Sequence, residues 1–384
     1  MHLVERDREH VAQVNRDDLD VPEELSGRKL RSRLLLVLLV LVVVVAVVTL
    51  LPGLSGLRSR LAHASPGWLA LGALLKVLSG FGYVAVFRMV FCRRMSWRVS
   101  TEIGMSEFGA NALLPTGGAG GLALGAWALK RGGMPGEEIA KRTVAFFLLT
   151  SLPNVLGVIL IGLGLAAGVL GGESNLLLTA APAAVALVAV LGTIAGGRLA
   201  RRYERRKRDA GARGPSRRAS AAVKTLAALA DGVDESLALL REGNAVLIAG
   251  LLAYLVFDVM ILWAGFRALG SSPPIAILVF AYLIGELGGL IPIPGGLGGV
   301  EAGLLGTLVL YHVSITSAAG AVLAYRAIAL AVPAVLGAIA FGALRRTLNN
   351  EAEQISVCAP QSEMEIIGLG RARIDHAPRE PAGR

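Results

Sequence analysis

The sequence predicts an all-α, polytopic integral membrane protein, with about six full spans plus two re-entrant or short paired helices arranged as an inverted repeat. Three observations carry this. Of the 384 residues 54% are hydrophobic and 17% charged, with a mean hydropathy of +0.63, a balance outside the soluble globular range. The stretches 34–51, 143–170 and 176–197 hold no charged residue, and each has or approaches the ~20 residues that cross a ~30 Å hydrocarbon core. Finally, one pattern occurs twice in apolar surroundings: Glu107 lies eight residues before Pro115-Thr116-Gly117-Gly118-Ala119-Gly120-Gly121, and Glu286 eight residues before Pro294-Gly295-Gly296-Leu297-Gly298-Gly299. Proline and paired glycines break helices, and at membrane depth such breaks persist only where protein or a wet cavity surrounds them. Matched breaks in two halves point to a transporter's substrate site.

The spans follow from the basic residues. Residues 1–27 are polar and without apolar periodicity, and read as a disordered cytoplasmic tail. Arg28, Lys29, Arg31 and Arg33 precede the first span, which places the N-terminus in the cytoplasm and Pro52 on the far side. That span lies deep in the chain and lacks a small-residue cleavage site, so it is not read as a signal peptide. The next span, 68–91, returns to Arg93, Arg94 and Arg98. Residues 99–129 then join this basic cluster to another, at Lys130, Arg131, Lys141 and Arg142, so they cross an even number of times. They are too few for two full helices and a turn, and Pro115 falls near their middle. A hairpin entering from the cytoplasm is expected. Residues 143–170 cross outward and close a first membrane half, 28–172.

The second half, 173–346, repeats the order. Residues 176–197 return to a loop, 198–218, holding ten Arg or Lys against two acids, which is cytoplasmic by the positive-inside rule. Residues 219–243 mix charge and apolar side chains at helical spacing and read as an interfacial helix. Residues 244–266 cross outward, and 275–317 form a second hairpin, entering from outside. The last span, 318–344, ends at Arg345-Arg346, ahead of a disordered cytoplasmic tail, 347–384. Each half thus runs span, span, hairpin, span, in opposite orientations, as in alternating-access carriers. Localisation in the plasma membrane, multi-pass, with both termini cytoplasmic, is expected.

The net charge of +10 flanks the spans and is accounted for by topology, so no nucleic-acid partner is expected. The two cysteines, Cys92 and Cys358, argue against a disulfide framework or a cysteine metal site. Neither glycine run has the Gly-Lys-Ser/Thr ending of a phosphate loop, so no nucleotide is implied. No cofactor and no metal are expected, and no nucleophile with a base is recognisable, so the chain does not read as an enzyme.

An ionisable group at membrane depth costs about 2.5–3.5 kcal/mol on insertion scales, which makes each a functional candidate. The candidates are Lys76, Arg88, Glu102, Glu107, Asp258, Glu286, Glu301, His312 and Arg326. Arg88 and Glu102 lie near span ends and can snorkel. Lys76 either meets a lipid phosphate or pairs with Glu107 or Asp258. Glu301 opens the half-helix after the second glycine run, where it caps free N–H groups or binds a proton or cation. Arg326, with Tyr325 beside it, needs an anion in mid-span, either a glutamate (Glu286 or Glu301) or a transported headgroup. The backbone N–H groups of Gly117, Gly118, Gly295, Gly296, Gly298 and Gly299 are candidate phosphate donors. Singly, a glycine run marks close helix packing; the repetition with a matched Glu and Pro points to a site.

The motif Pro294-Gly-Gly-Leu-Gly-Gly-Val-Glu301-Ala, followed by Tyr325-Arg326 and Pro333, resembles the flippase-like membrane family that includes the transmembrane region of bacterial lysylphosphatidylglycerol synthases. Asn111-Ala-Leu-Leu-Pro115 is similar to that family's first block, which adds Asn111 to the substrate-binding candidates, and the resemblance covers roughly residues 30–345. It implies movement of charged or glycosylated lipids between leaflets. The lysyl-transferring members carry a large soluble catalytic domain, whereas 38 residues follow Arg346 here, so aminoacyl transfer is not carried over. The first hairpin lacks counterparts of Glu301 and Arg326, so the site should be asymmetric. The expected function is translocation of an anionic phospholipid or polyprenyl-phosphate-linked lipid, with Glu286, Glu301 and Glu107 as coupling candidates. The alternatives are a small-solute secondary transporter and a non-transporting partner of a lipid-modifying or envelope-assembly enzyme. Membrane lipids are the expected partners, and the sequence does not specify an oligomeric state.

Overall fold

A computed structural model describes residues 59, 61–113, 119–169, 180–188, 192, 195, 202, 231–289, 298–350 and 358. Its ordered elements are helices: α1 Pro66–Phe91, α2 Trp97–Leu113, α3 Ala119–Arg131, α4 Gly136–Ala166, α5 Ala245–Ala268, α6 Ile275–Gly289, α7 Gly299–Leu310 and α8 Ile315–Asn350. Local chemistry explains several starts. Pro66 opens α1, where its missing N–H is no loss. Asn244 caps α5 by accepting hydrogen bonds from the N–H groups of Val246 and Leu247. Glu137 and Glu138 sit in the first turn of α4, at the positive end of its dipole.

Among the described residues four helices are long and apolar enough to cross a membrane: Pro66–Phe91, Gly136–Ala166, Ala245–Ala268 and Ile315–Leu348. The chain is a polytopic α-helical membrane protein. The span expected at 34–51 lies outside the described residues, and of that expected at 176–197 mainly 180–188 is described, as helix. The basic loop 198–218 also falls outside them, apart from Arg202. Of the expected interfacial helix, residues 231–241 are helical and dock on α4. There Ser236 donates to the Ala145 carbonyl at 3.3 Å and Lys141 pairs with Glu235 at 2.8 Å.

The two broken stretches become helix pairs, α2 with α3 and α6 with α7; their tips, 114–118 and 290–297, lie outside the described residues. The arms have 17, 13, 15 and 12 residues. At ~1.5 Å per residue they reach about 18–26 Å, so no single arm spans a ~30 Å hydrocarbon core.

Packing is mutual between the halves. Helices α1 and α5 cross where Gly82 and Gly250 face each other, and a Cβ built on either would lie within 2.9 Å of the other's carbonyl oxygen. Two bare backbones are what allow this approach. Helix α2 likewise crosses α8 at Gly109 and Gly337, with the Pro333 carbonyl beside them, while Gly157 of α4 receives Leu283 of α6. The first arm of each hairpin therefore rests on the last helix of the other half. Two apolar clusters fill the interior, one around Phe87, Phe91 and Phe146, the other around Phe266, Leu278 and Leu304.

Two sequence expectations need correction. Cys92 and Cys358, for which no disulfide framework was expected, are joined by a disulfide, with their Cα atoms 5.9 Å apart. The tail brings Cys358 back to the end of α1 across 266 residues, a contact that spacing does not reveal. His312, counted among the intramembrane groups, is exposed in the turn between α7 and α8, at φ 61°.

Candidate functional site

Three groups of polar side chains lie inside the helical bundle. The first sits at the start of α7. Gly298 has φ 109°, a backbone conformation open mainly to glycine, and this turn aims its N–H at Glu301. Glu301 Oε2 accepts from Gly298 N–H at 2.7 Å, and Oε1 accepts from Arg326 Nε of α8 at 2.6 Å. Of the two glutamates the sequence offered Arg326, the structure places Glu301 against it, and Glu301 also acts as the helix cap. Both its oxygens are engaged. The Arg326 side chain keeps 18% of its surface exposed, and among the described residues its Nη groups make no hydrogen bond. Gly299 packs against the backbone of Gly288, so this part of the glycine run closes the two arms of the hairpin together.

The second group lies deeper, where α1, α5, α6 and α8 meet. Lys76 Nζ donates to both carboxylate oxygens of Asp258 at 2.9 Å, with side-chain exposures of 6% and 5%. Tyr282 adds a longer hydrogen bond to Asp258 at 3.4 Å, and the Phe108 ring covers the lysine, its centroid 4.9 Å from Nζ. Lys76 thus pairs with Asp258 rather than Glu107. Partly buried Glu286 lies near enough to feel the charges of Asp258, Lys76 and Arg326. Tyr325 is buried edge-on against Tyr282, with centroids 6.3 Å apart.

The third group belongs to the first hairpin. Fully buried Glu107 accepts a 2.6 Å hydrogen bond at Oε1 from the Tyr83 hydroxyl of α1. Asn111 donates to that hydroxyl at 3.3 Å and accepts from Gly121 N–H of α3 at 3.0 Å. A run of donors thus ties α3 to α2 to α1 and ends on one oxygen of Glu107. The other oxygen, Oε2, is buried without a hydrogen-bond partner.

Periodicity explains how the groups connect. Lys76, Ser79 and Tyr83 share one face of α1 at helical spacing. Ser79 bonds the Tyr254 carbonyl at 3.4 Å, and the Tyr254 ring lies 5.8 Å from that of Tyr83. Tyr83, Tyr254 and Tyr282 were missed in the sequence, where a tyrosine in a span reads as ordinary core. The seven-residue spacing of Tyr83 from Lys76 was the available signal. Arg88 and Glu102 sit at the basic end. Arg88 donates to the Met95 carbonyl at 2.8 Å and lies over Trp97, and Glu102 pairs with Arg98 at 3.1 Å. Gly117, Gly118, Gly295 and Gly296 fall outside the described residues.

Four long spans, two pairs of half-length helices from broken apolar stretches, and one buried and one half-buried ion pair where they meet define a polytopic membrane protein with a polar interior. The family described as lysylphosphatidylglycerol synthase TM region matches residues 35–337, and the chain belongs to it. Among curated proteins none matches the chain.

Proposed function

We propose that the protein is a lipid carrier of the plasma membrane, with both termini cytoplasmic. It would move an anionic phospholipid or a polyprenyl-phosphate-linked lipid between leaflets without acting as an enzyme. Arg326 supports this reading most directly. Its guanidinium lies beside the first turn of α7, held on one edge by Glu301 and partly exposed, with its remaining donors unbonded among the described residues. A planar cation presented in this way suits a phosphate, which accepts two parallel N–H bonds. The N–H groups of Gly295, Gly296, Gly117 and Gly118 would add backbone donors at the two tips, and Asn111, Tyr325, Gly298 and Gly299 would shape the headgroup path. Acyl or prenyl tails stay in the bilayer. Glu286, near two cations and next to the headgroup position, is the carboxylate proposed to couple binding to charge movement. Glu301 contributes by orienting Arg326. Membership of the family supports a lipid-related role for the membrane region.

The test uses the full chain reconstituted into phosphatidylglycerol-containing vesicles with a headgroup-labelled phosphatidylglycerol, following dithionite-accessible fluorescence against empty vesicles. Wild type should exchange label between leaflets, and Arg326→Lys should lose most of the rate while keeping its fold, because a point charge lacks the planar fork. Rates equal to the empty control for phosphatidylglycerol and for a polyprenyl phosphate would reject the carrier reading for both lipids.

A further inference from the structure

We propose that Glu107 is a proton-binding site of the first hairpin, and that gain and loss of this proton set how tightly α3 closes on α2. The gating part rests on the carrier reading above; the proton site itself does not.

The two carboxylate oxygens of Glu107 have different surroundings. Oε1 accepts from Tyr83 at 2.6 Å, while Oε2 is buried without a partner, facing Gly125 of α3 with the Phe87 ring close by. A Cβ on Gly125 would collide with Oε2, so the arm of the hairpin rests directly on this atom. An ionised oxygen sealed against apolar atoms carries the desolvation cost of a charge with nothing to offset it. The same oxygen bearing a proton carries far less.

The other groups around Glu107 supply no charge to balance it. Helix α1 presents Tyr83, with Tyr254 of α5 behind that ring; α3 presents Gly121 and Gly125; α4 presents Phe146 to the Tyr83 ring; and α8 meets α2 at Gly337. Of the cations of α1, Lys76 is engaged by both oxygens of Asp258 and Arg88 donates to the Met95 carbonyl. Among the described residues no cation pairs with Glu107. A bound metal ion is a poor alternative, because calcium and magnesium take six or more oxygens, whereas the side chains here offer one carboxylate, the Tyr83 hydroxyl and an Asn111 amide oxygen that already accepts from Gly121. The contrast with Glu286 sharpens this. Both glutamates precede their proline by eight residues, yet Glu286 lies near Lys76 and Arg326 while Glu107 has no cation beside it.

The Oε2–H bond breaks, its electron pair stays on the carboxylate, and the proton passes to water reaching the hairpin. Tyr83 keeps its hydroxyl proton and its bond to Oε1. The charge left on Oε2 then favours water at the place where Gly125 packs, which loosens α3 from α2. Rising pH therefore favours the open hairpin and falling pH the closed one.

Infrared difference spectroscopy of the full chain in phosphatidylglycerol vesicles, titrated in pH with hydrogen–deuterium exchange, reads the proton directly. Wild type should show the carbonyl band of a protonated carboxyl that disappears as pH rises. Glu107→Gln should lack this band, and Tyr83→Phe should keep it at a shifted frequency because Oε1 loses its donor. Identical difference spectra for wild type and a folded Glu107→Gln would overturn the proton site. If Glu107→Gln does not fold, an unshifted band in Tyr83→Phe overturns it instead. In the label-exchange assay, the pH dependence of the wild-type rate should flatten in Glu107→Gln. An unchanged profile would overturn the gating role, while absence of exchange by wild type at every pH would reject the carrier reading and leave the infrared result to decide the proton site.

Discussion

Replacing Lys76 with methionine should be among the most damaging single changes in the protein. The lysine holds both oxygens of Asp258 at 2.9 Å with side-chain exposures of 6% and 5%, and without it Asp258 keeps a single long hydrogen bond, from Tyr282 at 3.4 Å. Breaking a buried pair by removing one partner costs about 3–5 kcal/mol, because the remaining charge is stranded. That is roughly two to three and a half powers of ten in the folding equilibrium. Replacing both partners by apolar residues, as in Lys76→Met with Asp258→Leu, removes the stranded charge and should return stability to within about 1 kcal/mol of wild type, or above it. Equilibrium unfolding in mixed micelles with increasing dodecyl sulfate, followed by circular dichroism, measures all four corners of this cycle. A loss below about 1 kcal/mol for Lys76→Met would show that the pair is solvated like an exposed one and not buried as a unit. The same double variant bears on function. With Lys76 committed to Asp258, lipid exchange should survive in it, and loss of exchange from a stable double variant would assign the lysine to the headgroup path.

Three further outcomes are expected. Glu286→Gln removes a charge near Lys76 and Arg326 while keeping its shape, and should slow label exchange several-fold with unfolding unchanged; equal rates would leave Glu286 a structural role. Gly82→Ala places a Cβ 2.8 Å from the Gly250 carbonyl oxygen and should destabilise by about 1–3 kcal/mol in the micelle assay, whereas Gly136→Ala, which meets nothing within 4 Å, should be near neutral. Single cysteines at Ser216 and Ser271, in a background lacking Cys92 and Cys358, should label from opposite faces of the membrane; labelling of both from one face would overturn the orientation.

Features that depend on composition and on local order were legible in the amino-acid sequence. Uncharged stretches of membrane length mark spans because lipid tolerates few charges, and basic clusters mark their ends. Two apolar stretches fold as half-length helices that end at Leu113 and Gly289, ahead of the prolines the sequence offers as breakers, because backbone rules are local. Buried charges were visible as candidates for the same reason. Their partners were not. Lys76 and Asp258 are separated by 182 positions in the chain, and the choice between Asp258 and Glu107 depended on how α1 rotates against α5 at the Gly82–Gly250 crossing. The role of Glu301 was likewise open until the turn at Gly298 and the approach of α8 placed a backbone N–H and Arg326 on its two oxygens. Tyr83 gained significance only when folding set its hydroxyl against Glu107, and Cys358 only when the tail met α1. Pairing between distant segments is decided by packing of whole helices, where small residues permit contact and large ones forbid it, and such information is spread over many positions rather than written at any one of them.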